Sequence, residues 1–293
     1  MLANNNEAII NKLAKNSVKT NKKQYAILFF TIILSAFMLF CVFTIGMTYL
    51  NSSRLQNTRL NGAEYDIVTM NGFTSEQLNT LQQNENIRSV GIESYAGFIQ
   101  STEYDKTVEI GLLWCDEVFW DNLMSPARTK LDGHYPQNKN ELMVTKDILK
   151  TCGNENLSVG DSLILTYENN TGVYTDEFVI SGIWDGYGDT SAGFVSKAFY
   201  DETGYDLKNN GILCIKLNCN YVFPTTIQSI EKSLDFSDRQ IFAPTGYIEN
   251  SFKLLLGICG LALVICLSAY LLIYNILYLS VSGKIRYYGL LQS

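Results

Sequence analysis

Two stretches of this chain carry no charged residue. Residues 25–50 read YAILFFTIILSAFMLFCVFTIGMTYL, and residues 254–283 read LLLGICGLALVICLSAYLLIYNILYLSVSG. Each exceeds the roughly 20 apolar residues that a bilayer core demands. Lipid offers the backbone no hydrogen-bond partner, so membrane-spanning helices are predicted over residues 25–50 and 254–282. The first run is longer than the apolar part of a secretory leader, starts well inside the chain and shows no small-residue cleavage site, so it is expected to stay as an anchor.

Between the spans the period shortens. AEYDIVTM (residues 63–70) and TVEIGLLW (107–114) are short and rich in β-branched or aromatic residues, as strands are. The intervening segment opens on Thr-Ser-Glu-Gln, a helix start signal, places Leu78 and Leu81 at helical spacing, and turns extended from Ile87. Further on, a short helix is predicted to end at Gly153. SLILTY and EFVISGIW read as strands joined by an Asn-Asn-Thr-Gly turn, followed by a strand over 211–217 and a helix over 225–234. The expected fold class is therefore α+β: two transmembrane helices flanking a two-lobed outer module over residues 51–250.

Charge orients this layout. Lys12, Lys15, Lys19, Lys22 and Lys23 precede the first span, and Lys284 and Arg286 follow the second. The positive-inside rule then puts both termini in the cytoplasm and the module outside the cell membrane. Residues 51–250 hold 14 Lys and Arg against 28 Asp and Glu, so the net charge of -7 conceals an acidic module between basic ends. That balance excludes a nucleic-acid partner. In the cytoplasmic lead-in, residues 1–24, Ile9, Ile10, Leu13 and Val18 fall near helical spacing, which predicts an amphipathic helix on the inner leaflet. Cys115, Cys152, Cys214 and Cys219 lie outside the spans, at spacings that fit neither a zinc knuckle nor a dense disulfide scaffold.

Reaction motifs are missing. No phosphate-cradling G-x-x-x-x-G-K-[ST] loop, no G-x-S-x-G elbow and, with one histidine, no H-E-x-x-H is present. No catalytic residue, cofactor or metal is expected. His134 reads as a turn residue, and adjacent acids such as Asp116 and Glu117 read as a solvated face. GIWDGYGD lacks the alternating oxygen ligands of an EF-hand. Asn275, deep in the second span, together with Gly257, Gly260 and Ser268, predicts a helix-packing face.

The end of the chain, KIRYYGLLQS, resembles the cytoplasmic element that follows a span in MacB/FtsX-type ABC permeases, in the tyrosine-bearing variant of Gram-positive members. Upstream, LDGHYPQNKNEL, the later VGD and the VISGI strand are similar to that family's outer-domain signature, through Gly133, Pro136, Glu141, Gly160, Asp161 and Gly182. His134 replaces the usual Arg. The first span, through FTIGMTYL, also looks like the family's. The resemblance implies a MacB-like periplasmic core domain on a permease that hydrolyses no ATP itself. Its partners would be a cytoplasmic ATPase, a second permease chain or half, and the bilayer. The ATPase would be contacted by Lys284, Arg286, Tyr287, Tyr288, Gly289, Leu290 and Leu291, in a coupling element starting at residue 283. Family members carry further spans, so the chain is expected to be the N-terminal portion of a longer permease. Export of, or resistance to, peptides or envelope components is the implied activity, and the acidic module favours a cationic peptide. Two alternatives share the layout: a two-span sensor receptor with an outer ligand-binding domain, and an FtsX-like regulator of cell-wall hydrolases.

Overall fold

The computed structural model describes residues 11, 15–16, 19–100, 110–187 and 192–291, with the backbone alone over 280–291. The residues behind the expected lead-in helix, Ile9, Ile10, Leu13 and Val18, lie outside the described residues, as do 107–109 and 188–191. The chain divides into two compact units, Met1–Leu50 with Leu254–Ser293, and Asn51–Lys253.

Both apolar runs are helical, and both helices outrun them. Helix α1 covers Lys22–Asn61 and helix α7 covers Gly246–Leu291. Nothing between Leu50 and Asn61 breaks a helix, and α1 stops only at Gly62, whose φ of 69° is left-handed. In α7 the charges at Lys284 and Arg286 leave the backbone helical, so no break marks the end of the expected span. Almost none of either apolar run is buried in protein, and Phe30, Phe40, Leu263 and Leu279 are each about two-thirds open. A soluble protein would hide such helices in its core; here lipid is the solvent their surfaces fit. The spans meet where a Cβ on Gly46 would fall 2.6 Å from Ile258 Cδ1, so the missing side chain permits close approach. Ala262, one turn beyond Ile258, is buried on the same seam.

Among the described residues the outer unit forms ten strands in one sheet. Two lobes share it. The base lobe consists of β1 (Ile67–Met70), α2 (Ser75–Gln82), the first half of β2 (Ile87–Ile99), β9 (Gly211–Leu217), α6 (Pro224–Ser233) and β10 (Ile241–Pro244). Its order β10-β1-β9-β2, antiparallel throughout, is the split β-α-β arrangement of two interleaved units. Helix α2 starts where the sequence signal puts it: Thr74 Oγ1 accepts from Gln77 N and Gln77 Oε1 accepts from Thr74 N, a reciprocal capping box.

The second lobe is inserted between β2 and β9. It contains β3 (Ile110–Cys115), β4 (Arg128–Gly133), β5 (Glu141–Thr145), α3 (Lys146–Thr151), β6 (Ser162–Asn169), β7 (Gly172–Gly186), β8 (Ala192–Val195) and the short helices α4 (Lys197–Tyr200) and α5 (Leu207–Asn210). The pairings β2-β3-β8-β5-β7-β6-β2 close on themselves, so these strands form a ring. Ring closure removes the exposed edges an open sheet would present, leaving β4 outside as the edge strand. The β6–β7 turn is Asn170-Thr171; the Asn169 side chain caps it by accepting from Thr171 N and Gly172 N.

Hydrophobic alternation divides the core by face. Ile67, Leu81, Leu213, Ile215, Ile230 and Ile248 fill the base lobe, and Leu112, Leu142, Val144, Leu163, Phe178 and Ile180 fill the ring. The alternate residues Leu113, Cys115, Met143, Phe194 and Cys214 point to the opposite face, under Phe119, Trp120 and Leu123 of a π-helical segment, Val118–Leu123. Burial on both faces explains why these strands read as continuous apolar runs.

Candidate functional site

The outer-domain signature residues come together around one irregularity in β7. Leu142 pairs with Ile180 but Met143 pairs with Gly182, so Ser181 is an extra residue, a bulge facing β5. The Ser181 carbonyl accepts from His134 N at 2.9 Å. Gly133 has φ 86°, and a Cβ there would lie 2.2 Å from the same carbonyl oxygen; one on Gly182 would lie 2.9 Å from the His134 carbonyl. Both positions demand glycine because backbone occupies the space of a side chain. Pro136 is buried. Glu141 closes the turn by accepting from Gln137 N (2.7 Å), Asn138 N (3.0 Å) and Asn138 Nδ2 (2.7 Å). Desolvation pushes its carboxyl up, but these hydrogen bonds and the nearby His134 together hold it below its ordinary range. On the far side, Gly160 N donates to Ile180 O, Ile180 N donates to Asp161 O, and the Asp161 side chain accepts from Ser158 N. The signature therefore builds a backbone clamp. His134 is exposed, its Nδ1 within 3.0 Å of the Tyr135 carbonyl, and it meets no catalytic partner.

Beside this clamp opens a cleft of about 570 Å³, lined by Trp114, Trp120, Tyr135, Asp116, Asp121 and Lys197 among others. Asp116 is a correction to the solvated-face expectation. It is half-buried, and Oδ1 accepts from Ile92 N (2.9 Å) and Phe119 N (2.8 Å), pinning the π-helical segment to β2. Desolvation outweighs these bonds and raises its pKa. The hydroxyl of Tyr135 accepts from Cys115 N and donates toward Val195 O, bridging β3 and β8. The Arg128 guanidinium covers the Trp120 ring at 4.0 Å, and Lys197, paired with Asp201, covers Trp114. The aromatic faces are thus occupied by the chain's own cations, while Glu117 and Asp121 remain exposed at the rim. Burial pushes the Cys115 and Cys214 thiols well above their ordinary range, so neither is a thiolate nucleophile near neutrality. All seven cysteines are free, and among the described residues no three His, Cys, Asp or Glu side chains gather to hold a metal ion.

The base lobe holds an ionic triad in which Lys216 and Asp66 are buried and Glu64 is half-buried. Lys216 Nζ lies 3.2 Å from Glu64 Oε1 and 3.2 Å from Asp66 Oδ2, and Asp66 also accepts from Leu217 N at 2.9 Å. Desolvation raises the Asp66 pKa and Lys216 opposes it. Glu64 and Asp66 fall between the end of α1 and β1, so the triad fixes the strand that follows the first helix. In the last turns of α1 Thr58 is buried, and the Arg59 guanidinium covers, at 4.1 Å, the ring of Tyr187 just after β7 of the second lobe. At the other helix Ile248 belongs to the base-lobe core, and the Phe252 ring packs on Phe223.

In the spans, a Cβ on Gly257 or Gly260 would meet nothing within 4 Å, Asn275 is exposed, and the Ser268 hydroxyl donates to Val264 O of its own helix. The helix contact within the chain falls on Gly46 and Ile258 instead. The backbone at Lys284, Arg286, Tyr287, Tyr288, Gly289, Leu290 and Leu291 is helical, and their side chains lie outside the described residues.

No family model and no curated protein matches the chain. Solved structures do. The periplasmic region of MacB from Actinobacillus actinomycetemcomitans is 14% identical at a TM-score of 0.43, over 66% of this chain and 95% of that one. A domain of a permease protein from Porphyromonas gingivalis is 11% identical at a TM-score of 0.38, over 66% and 95%. The extracellular domain of the ABC-type transporter YknZ from Gram-positive bacteria is 14% identical at a TM-score of 0.36, over 57% and 87%. These likenesses are at identities and scores that leave the function to be argued from the chain's own residues.

Proposed function

We propose that the chain is a non-catalytic permease subunit whose two membrane helices pass movement between a cytoplasmic ATPase and the outer module. The observation that carries this reading is that both span-bearing helices are rooted in one small lobe. Helix α1 runs directly into the segment whose Glu64 and Asp66 pair with Lys216 of β9 in that lobe, and α7 enters its core through Ile248. The strands next to these helices, β1 and β10, are hydrogen-bonded partners in register Ile67↔Pro244. Displacing either helix therefore loads a shared edge of the sheet, and a packed core transmits such a load. In this reading both termini are cytoplasmic and residues 51–250 extracellular, as the lysine distribution supports.

The tail from Lys284 to Leu291 is the proposed ATPase contact, a continuous helix with the sequence resemblance described above. The face with Asn275, Gly257, Gly260 and Ser268 is assigned to the second permease chain or half, since among the described residues none would meet a Cβ on Gly257 or Gly260. A cationic peptide would meet the acidic module, with the open carboxylates Glu117 and Asp121 at the cleft rim as its first contacts.

The test is an ATP-driven distance change in the assembled complex, read between nitroxides at Glu155 in the ring lobe and Asp238 in the base lobe, both exposed. ATP is expected to shift that distance in the native chain and not after three glycines are inserted at Asn51 of α1. An unmoved distance in the native complex rejects the transmission role. In the same preparation Gly289→Trp should lose the co-purifying ATPase; full retention removes the tail from the contact.

A further inference from the structure

Phe223 is held outward at a specific height. It is the N-cap of α6, with Pro224 fixing the first helical position, and its side chain is 60% exposed. Elsewhere α6 shows polar groups, namely Gln228, Ser229, Glu231 and Lys232, while Ile227 and Ile230 are buried. A single exposed ring is ordinary by itself. What distinguishes this one is its neighbour: the ring centroids of Phe223 and Phe252 are 4.4 Å apart. Phe252 lies on α7 two residues before Leu254, where the charge-free run begins, a rise of about 3 Å along the helix. From Leu254 on, α7 presents exposed apolar side chains, Leu254 at 38% and Leu256 at 56% among them. The Phe223 ring thus packs on α7 within one turn of the residue where the charge-free run begins. Tyr221, half-buried two residues earlier, adds the second aromatic that bilayer interfaces favour, and Lys253, one residue before the charge-free run, adds an exposed cation.

We propose that the corner at residues 221–224 is seated in the outer leaflet, with the Phe223 ring at the boundary between headgroups and acyl chains. The base lobe then rests on the bilayer through a contact separate from its two helices, and α6 is fixed relative to the membrane surface. The proposal depends on residues 254–282 spanning the membrane and is independent of what the chain transports.

The full chain, reconstituted in vesicles of phosphatidylcholine and phosphatidylglycerol, tests this by nitroxide accessibility. Cys41, Cys152, Cys219, Cys259 and Cys266 are replaced, and the buried Cys115 and Cys214 are kept. Labels are then placed singly by Phe223→Cys, by Leu263→Cys as a lipid reference and by Glu155→Cys as a water reference. The ratio of oxygen to nickel-chelate collisions at 223 is expected to exceed that at 155 by about threefold, as for a site a few ångströms into the interface. A second chain, labelled at the native exposed Cys219 with Phe223 intact, is expected to show nickel access below that at 155, so the outcome does not hang on one substitution. A ratio at 223 equal to that at 155, with 263 in lipid, overturns the seating and leaves the span standing. Water-like values at both 223 and 263 overturn the span itself. Low collision with both reagents at 223 means that protein covers the ring, which also overturns the seating.

Discussion

The base lobe and the ring lobe share one sheet yet are held by different physics. At the base, where both helices root, the chain buries Lys216 with Asp66, and the half-buried Glu64 completes the cluster. In the ring, order comes from closed strand pairing and from backbone approaching backbone at Gly133 and Gly182. A buried ionic cluster gains little over apolar packing but penalises any arrangement that separates its members. A closed ring of strands is stiff whatever its charges. Under the transmission role proposed above, the base is where force would enter and where a unique geometry matters, and the ring would be carried as a body. Strand β2 joins them: Glu93 faces Ile212 of the base on one side and Cys115 of the ring on the other.

The comparison can be broken most decisively at Lys216. Lys216→Met strands two carboxylates in the base and is expected to cost about 3–5 kcal/mol, with hydrogen exchange accelerating first in β1, β9 and β10. Uniform acceleration across both lobes would mean they unfold as one unit and would void the distinction. Next is Gly133→Val, which pushes a Cβ into the Ser181 carbonyl at a left-handed φ. About 3 kcal/mol is expected, lost from the ring, whereas Gly160→Ala, also left-handed but with open space around it, should cost about 1 kcal/mol. Equal losses at the two glycines would show that conformation, not contact, sets the cost.

The smallest effect concerns the junction. Desolvation raises the Glu93 carboxyl from 4.5 to about 7. Between those values the folded chain binds the extra proton, so stability falls as pH rises from 5 toward 8. Discounted for the partial exposure of the group, the swing is about 1–2 kcal/mol. Thermal unfolding of Glu93→Gln should lose that swing and match the native chain near pH 5. An unchanged pH profile would show that Glu93 does not titrate in this range.

The two lobes also differ in how well the sequence announces them. In the base, the start of α2 at Thr74, the turn to strand at Ile87 and the whole of β9 follow from local signals, because each is a helix cap or an apolar alternation bounded by turn residues. In the ring, β6 and the second half of β7 are legible, but β4, β5 and β8 are not. Strand β4 is exposed along most of its length and carries no apolar period, and β8 is four residues long. Asp116 shows the same limit at the level of the site. Next to Glu117 it reads as surface, and only the approach of β2 turns its carboxylate into an acceptor for Ile92 N.

The sequence by itself determined the two charge-free helices and the acidic module between them, because chain length and charge are local properties. It also placed Gly133, Glu141, Gly160 and Gly182 in one pattern without saying what they do. Tertiary structure alone decided that they surround the bulge at Ser181, that β6 closes the ring, that the spans touch at Gly46 and Ile258, and that Lys216 meets Glu64 and Asp66. Those are contacts between residues far apart in the chain, and their partners are chosen by the packing of the whole module, which no local period encodes.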